Sequence, residues 1–142
     1  MRTIVALMLL STAALAADEP RLINFTAALQ LPDGGDMLEC TKQTEPEPGK
    51  EANFQPICTE RKPITLGMVV YRALLKTKQN QSLNDAAARW RLSRRVLAGP
   101  AKLSSADVSL LVNAVHDFGG FSTEVEGQSI CLLDPVYCDQ EK

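Results

Sequence analysis

Four cysteines are the side chains in this sequence with the clearest potential for chemistry. They are Cys40, Cys58, Cys131 and Cys138 in a chain of 142 residues. Zinc sites usually contain closely spaced cysteine pairs, whereas 17, 72 and 6 residues separate these four. The spacing therefore favours structural disulfides over a metal site. Of the three possible connectivities we expect Cys40–Cys58 with Cys131–Cys138, because each of these bridges closes a short local loop.

Catalytic residues are harder to find. A cysteine nucleophile needs a neighbouring base, and His116, the single histidine, falls near the C-terminal end of a predicted helix. An imidazolium is stabilised there by the helix dipole, which explains His116 without catalysis. Glu124 and Glu126 are the only candidates for a carboxylate pair. No cofactor or metal motif occurs, so the sequence favours a binding protein over an enzyme.

An arginine cluster is the strongest candidate for a binding surface. It comprises Arg89, Arg91, Arg94 and Arg95, with Trp90 among them. Guanidinium groups pair well with carboxylates and phosphates. The net charge of −2 and the 5% aromatic content argue against nucleic acid. We therefore expect an acidic protein or an anionic surface as the partner; the alternative is an ordinary solvated helix face.

Charge is also unevenly distributed along the chain. Bases dominate residues 72–102, and acids dominate the sequence from residue 104 onwards. Either the two segments pack together and neutralise each other, or the basic segment presents a binding face that attracts a partner.

The first sixteen residues have the pattern of a secretory signal peptide. Arg2 supplies a positive charge, residues 4–10 are apolar, and Ala14-Leu15-Ala16 is a small-x-small cleavage site. We expect a mature chain of residues 17–142 in the bacterial periplasm or outside the cell, where cysteines pair. The apolar run is too short for a transmembrane anchor. The alternative is a start that is not a signal, in a cytoplasmic protein.

The mature chain predicts a single α+β domain that is mostly helical. Residues 22–31 have strand character, Pro32-Asp33-Gly34-Gly35 is a turn signal, and residues 36–40 are expected to return as the second strand of an N-terminal β-hairpin. Residues 41–56 contain three prolines and one large apolar side chain. They predict an exposed loop, which a Cys40–Cys58 bridge would close.

About four short helices are expected to follow around one core. Thr65, Ser82 and Ser104 are predicted N-caps, Gly119 is a predicted helix stop, and the fourth helix is predicted over residues 123–133. Helical spacing assigns inward-facing stripes to these helices. In the second helix the stripe is Leu83, Ala86, Ala87, Trp90 and Leu97; in the fourth it is Val125, Ser129, Leu132 and Leu133.

The order of these segments resembles a family of small proteins encoded by tailed bacteriophages and prophages of proteobacteria. The matching pieces are Ile23-Asn24-Phe25-Thr26 before a Pro-Asp-Gly turn, Ile64-Thr65-Leu66-Gly67, Leu103-Ser104-Ser105-Ala106-Asp107-Val108, and Glu126-Gly127-Gln128 before Leu132-Leu133. The resemblance implies a small cytoplasmic helical protein with no assigned activity and no catalytic residues to carry over. This chain differs by its signal sequence, its insertion at residues 41–56 and its cysteines.

These observations together predict an exported, disulfide-stapled accessory protein that acts by binding, through either the basic helix or the proline-rich loop. Two alternatives stay open: a small envelope enzyme with an unrecognised site, and a phage-type cytoplasmic protein.

Overall fold

The computed structural model describes residues 19–76, 78 and 80–139. The predicted signal peptide lies outside these residues. The helices are α1 (Leu66–Leu75), α2 (Leu83–Leu97), α3 (Ser105–Phe118) and α4 (Thr123–Leu133). The strands are β1 (Arg21–Ile23), β2 (Leu38–Gln43), β3 (Cys58–Pro63) and β4 (Ala101–Leu103). The expected α+β architecture, mostly helical with two disulfides, is confirmed.

Hydroxyl side chains start all four of these helices. Each cap oxygen accepts a hydrogen bond from the main-chain N–H three residues further on, which satisfies a donor that the helix leaves unpaired. The caps are Thr65, Ser82, Ser104 and Ser122. The first three were predicted from the sequence. Gly119 ends α3 with a φ of 63°, the left-handed conformation that glycine adopts without strain.

The core is built around α1, which packs against α2, α3 and α4. Val69, Val70 and Leu74 on α1 are buried, and so are Phe25 and Leu29 from the segment after β1. Helical spacing predicts an inward stripe of Val108, Leu111, Val112, Val115 and Phe118 for α3. The first four are buried, and Phe118 is partly buried against the core. This arrangement makes α1 the central element of the domain.

The two small sheets combine segments in an order that differs from the expected one. The predicted turn forms, with the Gly34 N–H donating to the Leu31 carbonyl at 2.9 Å. The partner of β2, however, is β3, in an antiparallel hairpin around residues 44–57. Strand β1 pairs instead with β4, about 80 residues later in the chain. Phe25 and Leu29 pack into the core. The predicted N-terminal hairpin is reduced to a short antiparallel pairing around the turn, where Gln30 bridges to Asp36 and the Met37 N–H donates to the Leu29 carbonyl at 2.8 Å.

The inward stripe predicted for α2 is wrong. Leu83, Trp90 and Leu97 are 89%, 57% and 55% exposed, while Leu92, Ser93 and Val96 are buried. Ser93 tolerates burial because its hydroxyl donates to the Trp90 carbonyl at 2.8 Å. The helix therefore packs through a second, narrower apolar stripe and presents its larger apolar side chains outward.

A smaller correction applies to α4. Ser129 and Leu133 are buried as expected, and Val125 packs against the core. Leu132 was also expected to face inward but is 42% exposed.

Candidate functional site

All four cysteines form disulfides, with the predicted connectivity. Cys40 bonds to Cys58, with their Cα atoms 5.8 Å apart, and Cys131 bonds to Cys138, with a Cα separation of 5.5 Å. The first bridge joins β2 to β3 across the loop of residues 44–57. The second ties the end of α4 to the following 3₁₀ turn, Pro135–Tyr137. No cysteine is left to act as a thiolate with His116.

The exposed side of α2 carries the most distinctive surface of the described structure. Leu83, Trp90 and Leu97 are seven residues apart, so they lie on one helix face over about 21 Å. The exposed Ala87 and Arg94 lie between them. We call these five residues the α2 outer face. Single exposed apolar side chains are ordinary on a protein surface, but three large ones in line form an apolar strip, which Arg94 interrupts between Trp90 and Leu97.

The four arginines predicted as a group do not share one surface. Arg89 is only 5% exposed, so it does not contribute to the outer surface as the sequence suggested. Arg95 pairs with Asp107 at 3.5 Å and donates to the Lys102 carbonyl.

Arg91 and Arg94 are exposed, and within the described part of the chain neither has a carboxylate within 4.0 Å. Arg94 belongs to the α2 outer face, and Arg91 lies beside that face, where it lines a shallow pocket with Arg95 and Asp107.

Some bases of the central segment do neutralise acids of the C-terminal segment. Besides the Arg95–Asp107 pair, Lys78 pairs with Asp117. The Lys78 hydrogen bond and its positive charge hold the pKa of Asp117 below its usual value, and Arg89 adds a smaller effect in the same direction. Packing of oppositely charged segments thus accounts for part of the charge asymmetry, but not for Arg91 and Arg94.

The two glutamates considered for catalysis make separate local contacts. Glu124 accepts hydrogen bonds from its own backbone N–H and from the Ser122 hydroxyl, and these lower its pKa. Glu126 instead contacts Nδ1 of His116 at 2.8 Å. His116 is largely exposed there, and this contact links α3 to α4. The carboxylates of Glu124 and Glu126 therefore do not converge on one point where a substrate could react.

An apolar groove runs along α4, and sequence reasoning missed it. Its volume is about 460 Å³, and Ala28, Gly127 and Leu132 contribute to its lining. The side-chain amide of Gln128 accepts a hydrogen bond from the Gln30 N–H and donates one to the Gln30 carbonyl, so both main-chain groups of Gln30 are paired. The sequence holds one signal for this groove: Gly127, which has no side chain, lies in the middle of a predicted helix.

Within residues 19–139, as far as they are described, no three side chains of His, Cys, Asp or Glu cluster as metal ligands would. None of the described helices combines the length and apolar character that spanning a bilayer requires. The two disulfides are compatible with an extracellular or periplasmic protein.

Comparison with known proteins gives no match to a family model, a curated protein or a solved structure. The resemblance to phage-encoded proteins therefore stays a prediction.

Proposed function

We propose that this chain is an exported accessory protein that acts by binding, and that the α2 outer face docks an acidic amphipathic helix of a partner protein. The observation that carries the proposal is the strip of Leu83, Trp90 and Leu97, exposed on one helix face beside Arg91 and Arg94.

The spacing of the strip favours a helical partner. The seam of paired helices is formed by side chains that alternate four and three residues apart, each inserting between side chains of the opposite helix. The α2 outer face has this spacing, with apolar residues at four of its five positions and Arg94 at the other. Fully burying a large apolar side chain is worth about 1.5–3 kcal/mol. Three such side chains provide enough driving force for a docking surface of modest size. Trp90 is the natural anchor, because tryptophan and arginine dominate the energetics of many interfaces.

Charge favours an acidic protein segment over a membrane. Arg91 and Arg94 attract carboxylates, whereas the chain as a whole carries a net charge of −2. The overall negative charge would repel an anionic bilayer, which faces a large part of the protein surface. A single acidic helix is small enough to interact mainly with the positive charges of Arg91 and Arg94. The arginines would therefore act on orientation and association rate, and the apolar strip on affinity.

The sole tryptophan makes the proposal directly testable. Trp90 lies within the strip, and no other tryptophan obscures its fluorescence. The probe is a synthetic helical peptide with leucines in heptad register and flanking glutamates. We expect a saturable blue shift of Trp90 emission with this peptide, and a much weaker response to the same peptide with lysines in place of glutamates.

Matched charge reversals separate a specific contact from a general charge effect. Arg94→Glu should weaken peptide binding at least tenfold. Arg61→Glu, which reverses an exposed arginine on β3, should leave it unchanged. Equal effects of the two variants contradict the proposal. A blue shift with phosphatidylglycerol vesicles but not with the peptide would identify a membrane surface instead, and a concentration-dependent dimer without peptide would identify a second copy of the chain.

Export is tested separately by mass. After expression with an intact secretion pathway, we expect the purified protein to lack residues 1–16 and the four hydrogens that two disulfides remove. A protein that retains Met1 and four thiols would contradict export and favour the cytoplasmic alternative.

A further inference from the structure

The exposed side of α2 carries its free charges at one end only. Arg91 and Arg94 lie in the C-terminal half of the helix, and both are exposed. The start of the helix, residues 83–88, contains no base. Its one acid, Asp85, contacts Nε of the buried Arg89 at 3.4 Å, so the charge of Asp85 is already balanced. The helix surface is therefore positive in its C-terminal half and close to neutral in its N-terminal half.

The neighbouring residues strengthen this polarity. Arg95 donates a hydrogen bond to the main-chain carbonyl of Lys102, which places β4 beside the C-terminal half of α2. The Lys102 side chain is exposed, and within the described ranges no carboxylate lies within 4.0 Å of its amino group. Asp107, the acid that lines the shallow pocket at this end, pairs with Arg95 at 3.5 Å. Lys102 thus adds to the positive charge at the C-terminal end of α2.

The bases near the start of α2 do not offset this polarity. Lys76 and Lys78 lie with Arg89 around a small cavity on the buried side of the helix. Lys78 pairs with Asp117, and Lys76 donates to main-chain carbonyls at the end of α3. Both lysines therefore serve the contact with α3 rather than the α2 outer face.

A partner helix has a polarity of its own. Its N-terminal end carries a partial positive charge and its C-terminal end a partial negative one, so glutamates stabilise the first turns and destabilise the last. An antiparallel partner places its N-terminal end beside the C-terminal end of α2, where the two helix dipoles attract each other. Glutamates in its first turns then meet Arg91 and Arg94. A parallel partner reaches these arginines only with glutamates near its own C-terminal end, where they weaken the helix.

We infer that the partner helix lies antiparallel to α2, with an acidic N-terminal half beside Arg91 and Arg94 and an uncharged C-terminal half over Leu83. The inference rests on the proposed function, since it assigns a direction and a charge order to the helix docked there. An apolar seam with alternating spacings of four and three residues fits in either direction, so the charges decide between the two.

Two stapled helical peptides test the charge order. They have the same composition and the same leucine seam, with the glutamates in either the N-terminal or the C-terminal half. The covalent staple holds both peptides helical, so that differences in helix stability do not affect the comparison. Titrations followed by Trp90 fluorescence should show at least fivefold tighter binding of the peptide with N-terminal glutamates. This advantage should shrink at high salt, which screens exposed charges.

Spin labels report the direction independently of affinity. A nitroxide on the N-terminal end of the tighter peptide should broaden the amide NMR signals of residues 94–98 more than those of residues 83–87. A nitroxide on its C-terminal end should do the reverse. The opposite pattern would mean a parallel partner and would overturn the inference.

Moving one charge along the α2 outer face supplies the matched variant. Ala87→Arg combined with Arg94→Ala keeps the net charge and transfers an arginine between two exposed positions. It should reduce the advantage of N-terminal glutamates to less than twofold. The control is the equivalent exchange on β3, Thr59→Arg with Arg61→Thr, also between exposed positions, which should leave the advantage unchanged.

The outcomes separate the direction of docking from docking itself. Equal affinity of the wild-type protein for the two peptides would overturn the inferred direction and leave the proposed function intact. Failure of both peptides to bind would contradict the proposed function, and the inferred direction with it.

Discussion

Two glycines inside helices have opposite surroundings, and they show how the structure uses single positions. Gly67, in the first turn of α1, brings the helix close to two main-chain carbonyls. A Cβ at this position would lie 2.9 Å from the Phe25 oxygen and 3.1 Å from the Val96 oxygen. At Gly127 in α4, a Cβ would meet nothing within 4 Å. Gly67 is therefore required by packing, whereas no packing contact requires Gly127.

Alanine substitutions at the two positions should have opposite effects. Gly67→Ala should lower the free energy of unfolding by about 1–3 kcal/mol, since the main chain cannot move away cheaply. Gly127→Ala should raise it by up to about 1 kcal/mol, the usual helix preference for alanine over glycine. Urea denaturation of the two variants checks both. A Gly67→Ala protein as stable as wild type would show that α1 does not approach the main chain this closely.

A second residue-scale prediction concerns Asp134. Its carboxylate accepts a hydrogen bond from Arg21 at 2.9 Å, and this bond is the main cause of its lowered pKa. A lowered pKa in the folded state stabilises the protein above the unfolded-state pKa, and this contribution is lost as pH falls through the folded-state value. Asp134→Asn should cost up to about 1 kcal/mol at pH 7, and the difference from wild type should disappear in strong acid.

Denaturation curves from pH 7 down to pH 2 measure this difference, and the same substitution in an Arg21→Gln background is the control. In that background the charge has lost its partner, so the effect of Asp134→Asn should be smaller. An equal effect in both backgrounds would contradict the role of the Arg21–Asp134 pair.

At the scale of elements, α2 shows why sequence patterns alone do not decide orientation. Its sequence holds two apolar stripes, one with Leu83, Trp90 and Leu97, the other with Leu92 and Val96. Helical spacing predicted that the first faces the core. The structure buries the second, together with Ser93 and Arg89. Periodicity identifies a helix and its faces, but which face is buried depends on the neighbours that it meets.

Paired truncations test the orientation of α2. Leu92→Ala should destabilise the protein by about 2–5 kcal/mol, because it leaves a cavity in the core. Leu97→Ala removes the same atoms from an exposed position and should change stability by no more than about 0.5 kcal/mol. Thermal or chemical denaturation distinguishes the two. The reverse order of effects would mean that the larger stripe faces the core.

Features set by local interactions were predicted well, and those set by distant contacts were not. The helix caps at Thr65, Ser82 and Ser104 and the stop at Gly119 depend on a few neighbouring residues, so the sequence predicts them. The pairing of β1 with β4 brings together residues such as Arg21 and Leu103, and no local pattern records such a contact. The same limit applies to the candidate sites: the arginines were found, but the burial of Arg89 depends on α1 and α3.

At the scale of the whole molecule, the disulfides connect residues that are close in sequence, whereas non-covalent contacts connect residues that are far apart in sequence. Both disulfides are local, with sequence separations of 18 and 7 residues. The long-range connections are non-covalent: the β1–β4 pair, the Arg21–Asp134 ion pair and the packing of α1. The β2–β3 hairpin is mostly exposed and makes its main contacts within itself. The disulfide within the hairpin therefore stabilises the hairpin more than the helical core.

Removing the Cys40–Cys58 bridge should separate these two contributions. In Cys40→Ser/Cys58→Ser the helical circular dichroism should persist, while amide exchange and proteolysis in residues 41–60 should accelerate markedly. The loss in global unfolding free energy should not exceed about 3 kcal/mol, the entropic effect of opening a loop of this length. Replacing Cys131 and Cys138 by serine is the comparison, and it should leave exchange in the hairpin unchanged. Loss of all helical signal in the first variant would show that the hairpin supports the core.

The Arg21–Asp134 contact makes the chain suitable for circular permutation. Because the start of β1 and the segment after α4 lie side by side, a short glycine-rich linker can join them without crossing the core. New termini would then open within residues 44–57, at the tip of the exposed hairpin. Such a circular permutant should retain the native fold, and the Cys40–Cys58 bridge would hold its new ends together.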